Sequence, residues 1–270
     1  MNSQDDTLIK DDPAAPDDLG QADSGPAGAV DFGFRQVGRT EKAGMVKDVF
    51  DSVASRYDLM NDLMSAGVHR LWKAALIDQI KPRASMRLLD VAGGTGDIAR
   101  RFLDHGGRDV TVCDINAEMV SAGRDRAIDH GALDGVRWVV GNAECLPVPD
   151  HAFDAYTIAF GLRNVTDIDA ALREARRVLK PGGHFMCLEF SRVVLPGLAA
   201  LYDQYSINIV PKLGRWVARD EDAYTYLVES IRRFPDQPAL AARMKDAGLD
   251  RVSVQNLSGG VVAIHSGWRV

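Results

Sequence analysis

Two rhythms of apolar and polar positions alternate along the chain. Short, mostly apolar runs lie at Leu88–Val91, Val110–Cys113, Val136–Val140, Phe153–Phe160 and His184–Phe190, and between them apolar residues recur at helical spacing. The short runs read as buried strands and the longer periodic segments as helices. Asn116 is placed to cap a helix from Ala117 to His130, which Gly131 ends, and Asp167 to cap one running to Leu179. Pro181-Gly182-Gly183 then turns the chain into the fifth strand. Strands and helices in alternation predict an α/β fold, a parallel sheet with helices on both faces.

Outside this stretch the pattern changes. Met45, Val46, Val49, Phe50 and Val53 predict an amphipathic helix over Lys42–Ser55, and a second helix is expected from Val68 to Ile80, stopped by Lys81-Pro82. Leu195–Ala218 mixes aromatics, prolines and glycines without a clean period. Asp220–Arg233 and Ala239–Ala247 read as helices, the latter ended by Gly248. Arg251–Leu257 and Val261–His265 read as two strands around Ser258-Gly259-Gly260, a hairpin signal. Residues 1–30, rich in Asp, Ala, Pro and Gly, hold too little apolar surface to offset the entropy of ordering, so they read as a disordered acidic tail.

Composition narrows the function classes. With 270 residues, 46% of them hydrophobic, the chain is long enough for one large core. A formal charge of −6 argues against a general nucleic-acid binder, which needs a basic face. Cys113, Cys145 and Cys187 form no even framework, and six scattered histidines suggest no metal site. No apolar run approaches the roughly 20 residues of a membrane span, and the acidic N-terminus has neither signal-peptide nor transit-peptide character. These features predict a cytoplasmic protein, or one peripheral to the cytosolic face of a membrane.

Chemistry concentrates at Leu88–Asp97, where the apolar run opens into Ala92-Gly93-Gly94-Thr95-Gly96 and a helix follows from Ile98. That order is strand, tight turn, helix N-terminus, and its free N–H groups face whatever lies in the turn. Asp90 at the strand end is placed to accept from an amine or a water. Asp114 closes the next run, about 20 residues past the loop, where an acid binds a ribose diol; the competing reading is a helix cap. Two acids and no phosphate-binding cation suit S-adenosylmethionine better than a dinucleotide. Thr95 and the backbone of Gly94 and Gly96 then meet the methionine end. Asn142 and Ala143 are placed to read an adenine edge, although an Asx turn suits Asn142 equally. Arg163 and Asn164 follow the fourth strand at the switch point of a doubly wound sheet. Arg163 is set either to stabilise an oxyanion or to make a structural salt bridge. His69 is a candidate base against a structural role, and Trp72 and Phe50 read as core. Tyr202, Tyr205 and Trp216 wall a ring pocket, lie at a membrane interface or cover the sheet edge.

Longer motifs carry a resemblance. They are Tyr57-Asp58-Leu59-Met60-Asn61 with Ser65, His69 and Trp72; Phe160-Gly161-Leu162-Arg163-Asn164-Val165; Arg177-Val178-Leu179-Lys180-Pro181-Gly182-Gly183 with Glu189-Phe190-Ser191; and the closing Gly259-Gly260-Val261-Val262-Ala263-Ile264-His265. From about Phe32 onward the chain resembles the UbiE/MenG family of ubiquinone/menaquinone biosynthesis C-methyltransferases, class I S-adenosylmethionine-dependent enzymes. The resemblance implies a Rossmann-like doubly wound sheet of seven strands, the last antiparallel and inserted by the closing hairpin. It implies one domain over residues 31–270, with 31–80 as a helical lid and 195–234 as a substrate or lid insertion.

The same resemblance implies C-methylation of a 2-polyprenyl-6-methoxy-1,4-benzoquinol, of a demethylmenaquinol, or of both. Cofactor contacts carry over onto Thr95, Asp114, Asn142 and Ala143, beside Asp90, Gly94, Gly96 and Ala159, and the catalytic candidates are Arg163, His69 and Tyr205. Ala92 stands where methyltransferases in general have the first loop glycine. Ala159 stands where many relatives have a serine; if that hydroxyl contacts the cofactor, the alanine forgoes one hydrogen bond worth about 1 kcal/mol. The implied partners are the polyprenylated quinol, a membrane surface, and a second copy or a quinone-biosynthesis complex, with no nucleic acid. An NAD-dependent oxidoreductase shares the glycine loop but is disfavoured by Asp90 and by the lack of a second catalytic domain. A non-catalytic S-adenosylmethionine-binding subunit is disfavoured by the intact Asp90, Gly94, Gly96 and Asp114.

Overall fold

A computed structural model describes residues 29–53, 65, 67–129, 134–195, 197 and 221–270. The expectations for the tail up to residue 28, for Tyr57, for Gly131 and for Tyr202, Tyr205 and Trp216 lie outside the described residues. So does that for the side chain of Phe50.

The described chain opens on an antiparallel hairpin, β1 (Ala29–Phe32) and β2 (Arg35–Gly38), and runs into α1 (Arg39–Val53). Ala29 and Val30, read as tail from composition, pair with Gly38 and Val37, so these two residues belong to the fold and not to the tail. The hairpin is held from outside: the Phe34 N–H donates to Glu229 Oε2 at 3.0 Å, and Phe32 stacks on Tyr226 with ring centroids 4.2 Å apart. Such a short strand pair cannot be recognised from its own pattern, because a lone hairpin needs partners to be stable.

The alternating core follows expectation closely. It comprises α2 (His69–Ile80), β3 (Arg87–Val91), α3 (Asp97–Asp104), β4 (Asp109–Asp114), α4 (Ala117–Asp129), β5 (Val136–Val140), β6 (Phe153–Ala159), α5 (Ile168–Val178) and β7 (Leu179–Phe190). Both expected caps form. Asn116 Oδ1 accepts from the backbone of Glu118 and Met119, and Asp167 Oδ1 from Ala170. β7 starts before His184 because Leu179 already pairs with Phe153, and the glycine turn is an irregularity within the strand. α6 (Glu221–Arg233), α7 (Gln237–Asp246), β8 (Asp250–Leu257) and β9 (Val262–Trp268) complete the fold. α7 begins ahead of Ala239 because Asp236 caps it there.

The seven strands lie in the order β5-β4-β3-β6-β7-β9-β8. All neighbours are parallel except β9, which runs antiparallel to both β7 and β8. The chain leaves β3 outward through β4 and β5, then returns to β6 on the other side. The carboxyl ends of β3 and β6 therefore flank the switch point. Alternate residues feed two cores. Leu88 packs with Trp72, Leu76 and Phe102 on one face, and Leu89 with Tyr156, Leu172 and Phe185 on the other. Each such side chain contributes about 1.5–3 kcal/mol. Burial on both faces is why the strands read as unbroken apolar runs.

Candidate functional site

A cavity opens where the fold predicts it, over the carboxyl ends of β3, β4 and β6. Asp90, Gly93, Gly94, Thr95, Asp114 and Asn142 line it. Ala143 and Ala159 also reach it, as expected from sequence. Gly96 does not line it. Its backbone is left-handed at the start of α3 (φ 81°), and an added Cβ would lie 2.6 Å from the Trp138 ring. The close approach of the Trp138 ring gives this glycine a packing role.

Asp90 is fully buried. Thr157 Oγ1 donates to its Oδ1 at 2.8 Å, while Oδ2 has no hydrogen-bond partner. An added Cβ on Gly93 would sit 2.8 Å from that oxygen, so the glycine keeps the space over it open. Burial raises the Asp90 pKa to about 7, against the Thr157 hydrogen bond and the Lys73 charge. A buried carboxylate oxygen with no donor, in a cradle only glycine allows, fits a cationic amino group.

Asp114 does two jobs. Its Oδ2 accepts from Gly94 N at 2.8 Å and its Oδ1 from Asn116 N at 2.9 Å, so it ties the glycine loop to the start of α4 while lining the cavity. Its pKa is raised by burial, against these backbone donors. Asn142 forms the Asx turn: its Oδ1 accepts from Glu144 N at 2.9 Å. Trp72 is core, its indole N–H on Ser258 Oγ at 2.8 Å and its ring among Phe160 and Phe190.

The expected catalytic residues are not gathered here. His69, first in α2, is buried with its Nδ1 3.0 Å from Ser65 Oγ and does not line the cavity. Tyr205 lies outside the described residues. Arg163 sits in the single turn Leu162–Asn164 after β6, buried against Glu189: Nη1 donates to Oε1 at 3.0 Å, and the backbone N–H to Oε2 at 3.3 Å. Burial pushes the Glu189 pKa up, opposed by Arg163. Of the two readings for Arg163, the geometry presents the structural pair, and the guanidinium faces a second cavity.

One participant is not legible in the sequence pattern. Lys73 reaches down from α2 into the first cavity and pairs with Asp97 at 2.9 Å. Burial would raise the Asp97 pKa, but Lys73 outweighs it and holds the carboxylate at about 2. The place of Lys73 directly after Trp72 of the quoted motif does not show that it is buried. With Lys73 taken up, Asp90 and Asp114 leave the first cavity acidic, which suits a cationic ligand.

The chain matches the model of the ubiE/COQ5 methyltransferase family over residues 36–269. It is similar to proteins named ubiquinone/menaquinone biosynthesis C-methyltransferase UbiE. The one from a Caulobacter species is 54% identical over 247 residues, covering 88% of this chain and 96% of that protein. The one from Paracoccus denitrificans is 57% identical over 240 residues, with the same coverage of 88% and 96%. Among solved structures, a methyltransferase from Thermotoga maritima superposes with a TM-score of 0.60 at 19% identity, over 83% of this chain and 100% of that one. A second, from Aquifex aeolicus, gives 0.51 at 18% identity over 73% and 89%. These two likenesses show the fold alone.

Proposed function

The chain belongs to the ubiE/COQ5 methyltransferase family, and on that footing we propose how it works as an S-adenosylmethionine-dependent C-methyltransferase of ubiquinone and menaquinone biosynthesis. Bound S-adenosylmethionine supplies a methyl group made electrophilic by its sulfonium. Asp90 takes the amino group of the methionine end and Asp114 the ribose hydroxyls, with Gly94 and Thr95 along the loop and Asn142, Ala143 and Ala159 toward the adenine. The buried, unpartnered Oδ2 of Asp90 is the observation that carries this reading. Arg163 acts as a positioning residue. Its pair with Glu189 fixes the turn that walls the cavity beside Phe160 and Asn164.

The acceptor is a benzoquinol, a demethylmenaquinol, or both. The test is to incubate the protein with S-adenosylmethionine and short-chain forms of each quinol. Methylated quinone and S-adenosylhomocysteine should form in equal amounts from at least one. No methylated product from either would overturn the reading. Calorimetric titration should give binding heat with S-adenosylmethionine and none with NAD.

No helix among the described residues is long and apolar enough to cross a membrane. For a polyprenylated substrate we place the protein reversibly on the cytosolic membrane surface. Val194 and Leu195, each 53% exposed, point to where the contact begins. Liposome binding should survive moderate salt, since a chain of charge −6 gains little from anionic lipid.

A further inference from the structure

Among the described residues, Lys42, Lys73 and Arg163 are the buried lysines and arginines. Lys73 pairs with Asp97 and Arg163 with Glu189. Lys42, on α1 and 6% exposed, has no carboxylate among the described residues within ion-pair distance; its Nζ donates to the Val165 carbonyl at 3.0 Å. A buried cation without a carboxylate in direct contact is disfavoured unless something else supplies negative charge beside it.

Lys42 lines the second cavity, of about 420 Å³, which lies between the hairpin, α1, α6 and the turn after β6. That volume is within the range of small-molecule sites. Val165 and Thr166 line both cavities, so the two adjoin along this wall. Lys42 meets this wall at Val165, and Tyr226 meets it at Asn164, where its hydroxyl donates to Oδ1 at 3.1 Å. Phe234 adds an aromatic face. The second cavity carries five cationic side chains against two carboxylates, the reverse of the first.

We propose that the second cavity receives the hydroxylated ring of the quinol, with the Lys42 ammonium holding the ring oxygen as it ionises. In that ionisation the O–H bond breaks, its electron pair stays on oxygen, and the proton passes to water. This rests on the quinol reading above. The ring then lies where the two cavities adjoin at Val165 and Thr166, its carbon turned toward the methyl donor, and the cation is placed where negative charge develops.

Burial pushes the Lys42 pKa down, opposed by Asp31 of β1 and Glu144 after β5 and reinforced by Arg39 of its own helix. An anionic ring oxygen beside Nζ adds a further negative charge that favours the ammonium. The other charged groups around the cavity are engaged: Arg39 with Asp167, Arg243 with Asp169, and Arg233 over the Phe34 ring. Burial takes the Tyr226 hydroxyl up to about 12, so it stays protonated.

The probe is 4-nitrocatechol, whose ionisation is visible as colour. Bound to the full-length protein, its pKa should fall by about 1–3, as for an acid beside a fixed cation. Lys42→Met should abolish that fall, and Lys42→Arg should restore part of it. With a short-chain quinol, Lys42→Met should lower kcat by about 10²–10³, a deficit that narrows as pH rises. Affinity for S-adenosylmethionine should not change. Should Lys42→Met fail to fold, Lys42→Gln keeps a donor for Val165 and carries the same expectations. An unchanged probe spectrum in the variant, no probe binding by the wild type, or displacement of the probe by inorganic phosphate as readily as by an unreactive naphthol would overturn the proposal. Its failure is separable from failure of the functional reading. A wild type that methylates quinol while the probe ignores Lys42 sinks only this inference, and a wild type that methylates neither quinol sinks the reading.

Discussion

The two cavities are built by different means. The first rests mainly on strand ends: most of its residues end or follow β3, β4, β5 and β6, and the sheet's register fixes them, with Lys73 added from α2. The second is assembled from the hairpin, α1 and α6, which meet through side chains such as Glu229 on Phe34 and Tyr226 on Phe32. A site on strand ends inherits its geometry from backbone hydrogen bonds. A site between attached elements depends on a few long-range contacts and is the easier to loosen. The rigid one suits a cofactor common to many reactions, and the adjustable one suits the acceptor.

The largest expected effect tests the wall between them. Arg163→Met leaves Glu189 buried without its partner and should destabilise the fold by about 3–5 kcal/mol. Adding Glu189→Leu should recover most of that loss in chemical denaturation. A single variant as stable as wild type would show that the pair does not hold the wall.

Next comes the cofactor side alone. Asp114→Ala should weaken S-adenosylmethionine binding by about 1.5–3 kcal/mol and leave nitrocatechol binding unchanged. Equal losses at both cavities would show that the two do not bind independently.

Asp90 gives a smaller, pH-dependent effect. Its pKa is raised to about 7, so acidification through 7 neutralises the carboxylate that a cationic ligand needs. Affinity for S-adenosylmethionine should fall as pH drops through 7, approaching tenfold or about 1.4 kcal/mol per pH step, and Asp90→Asn should flatten that profile. Without ligand the sign reverses. The folded state binds the Asp90 proton more tightly than the unfolded chain, so this group's contribution to stability diminishes as pH rises from about 4 to about 7.

The smallest effect concerns the hairpin. Glu229→Gln weakens the acceptor for Phe34 N and should cost about 0.5–1.5 kcal/mol. It should appear as faster amide exchange in β1 and β2 and weaker nitrocatechol binding, with cofactor affinity intact.

The same contrast governs what could be read from the residues. The strands, the caps at Asn116 and Asp167, and the lining by Asp90, Thr95 and Asp114 are legible because each is local or set by strand-to-loop spacing. The packing role of Gly96 is not legible, because a helix-packing glycine and a ligand-facing one look alike without Trp138 beside them. Arg163 left two readings open because its partner Glu189 lies 26 residues away on β7. Nothing in the local sequence sets Lys42 and Lys73 apart from the other lysines. Only the packing of α1 and α2 buries them.

One feature of the first loop bears on how such proteins can change over generations. Ala92 sits in the left-handed region at φ 50°, and a Cβ added to Gly161 would come within 2.4 Å of the Ala92 methyl. The left-handed backbone disfavours an L-residue by roughly 1–2 kcal/mol, so position 92 would accept glycine readily. Position 161, with φ −117°, has an ordinary backbone and lacks only room. The two sites thus share space for a single methyl group, which either can carry but not both. Descendants that gain alanine at 161 must already have lost it at 92, and the order of those two steps is not free.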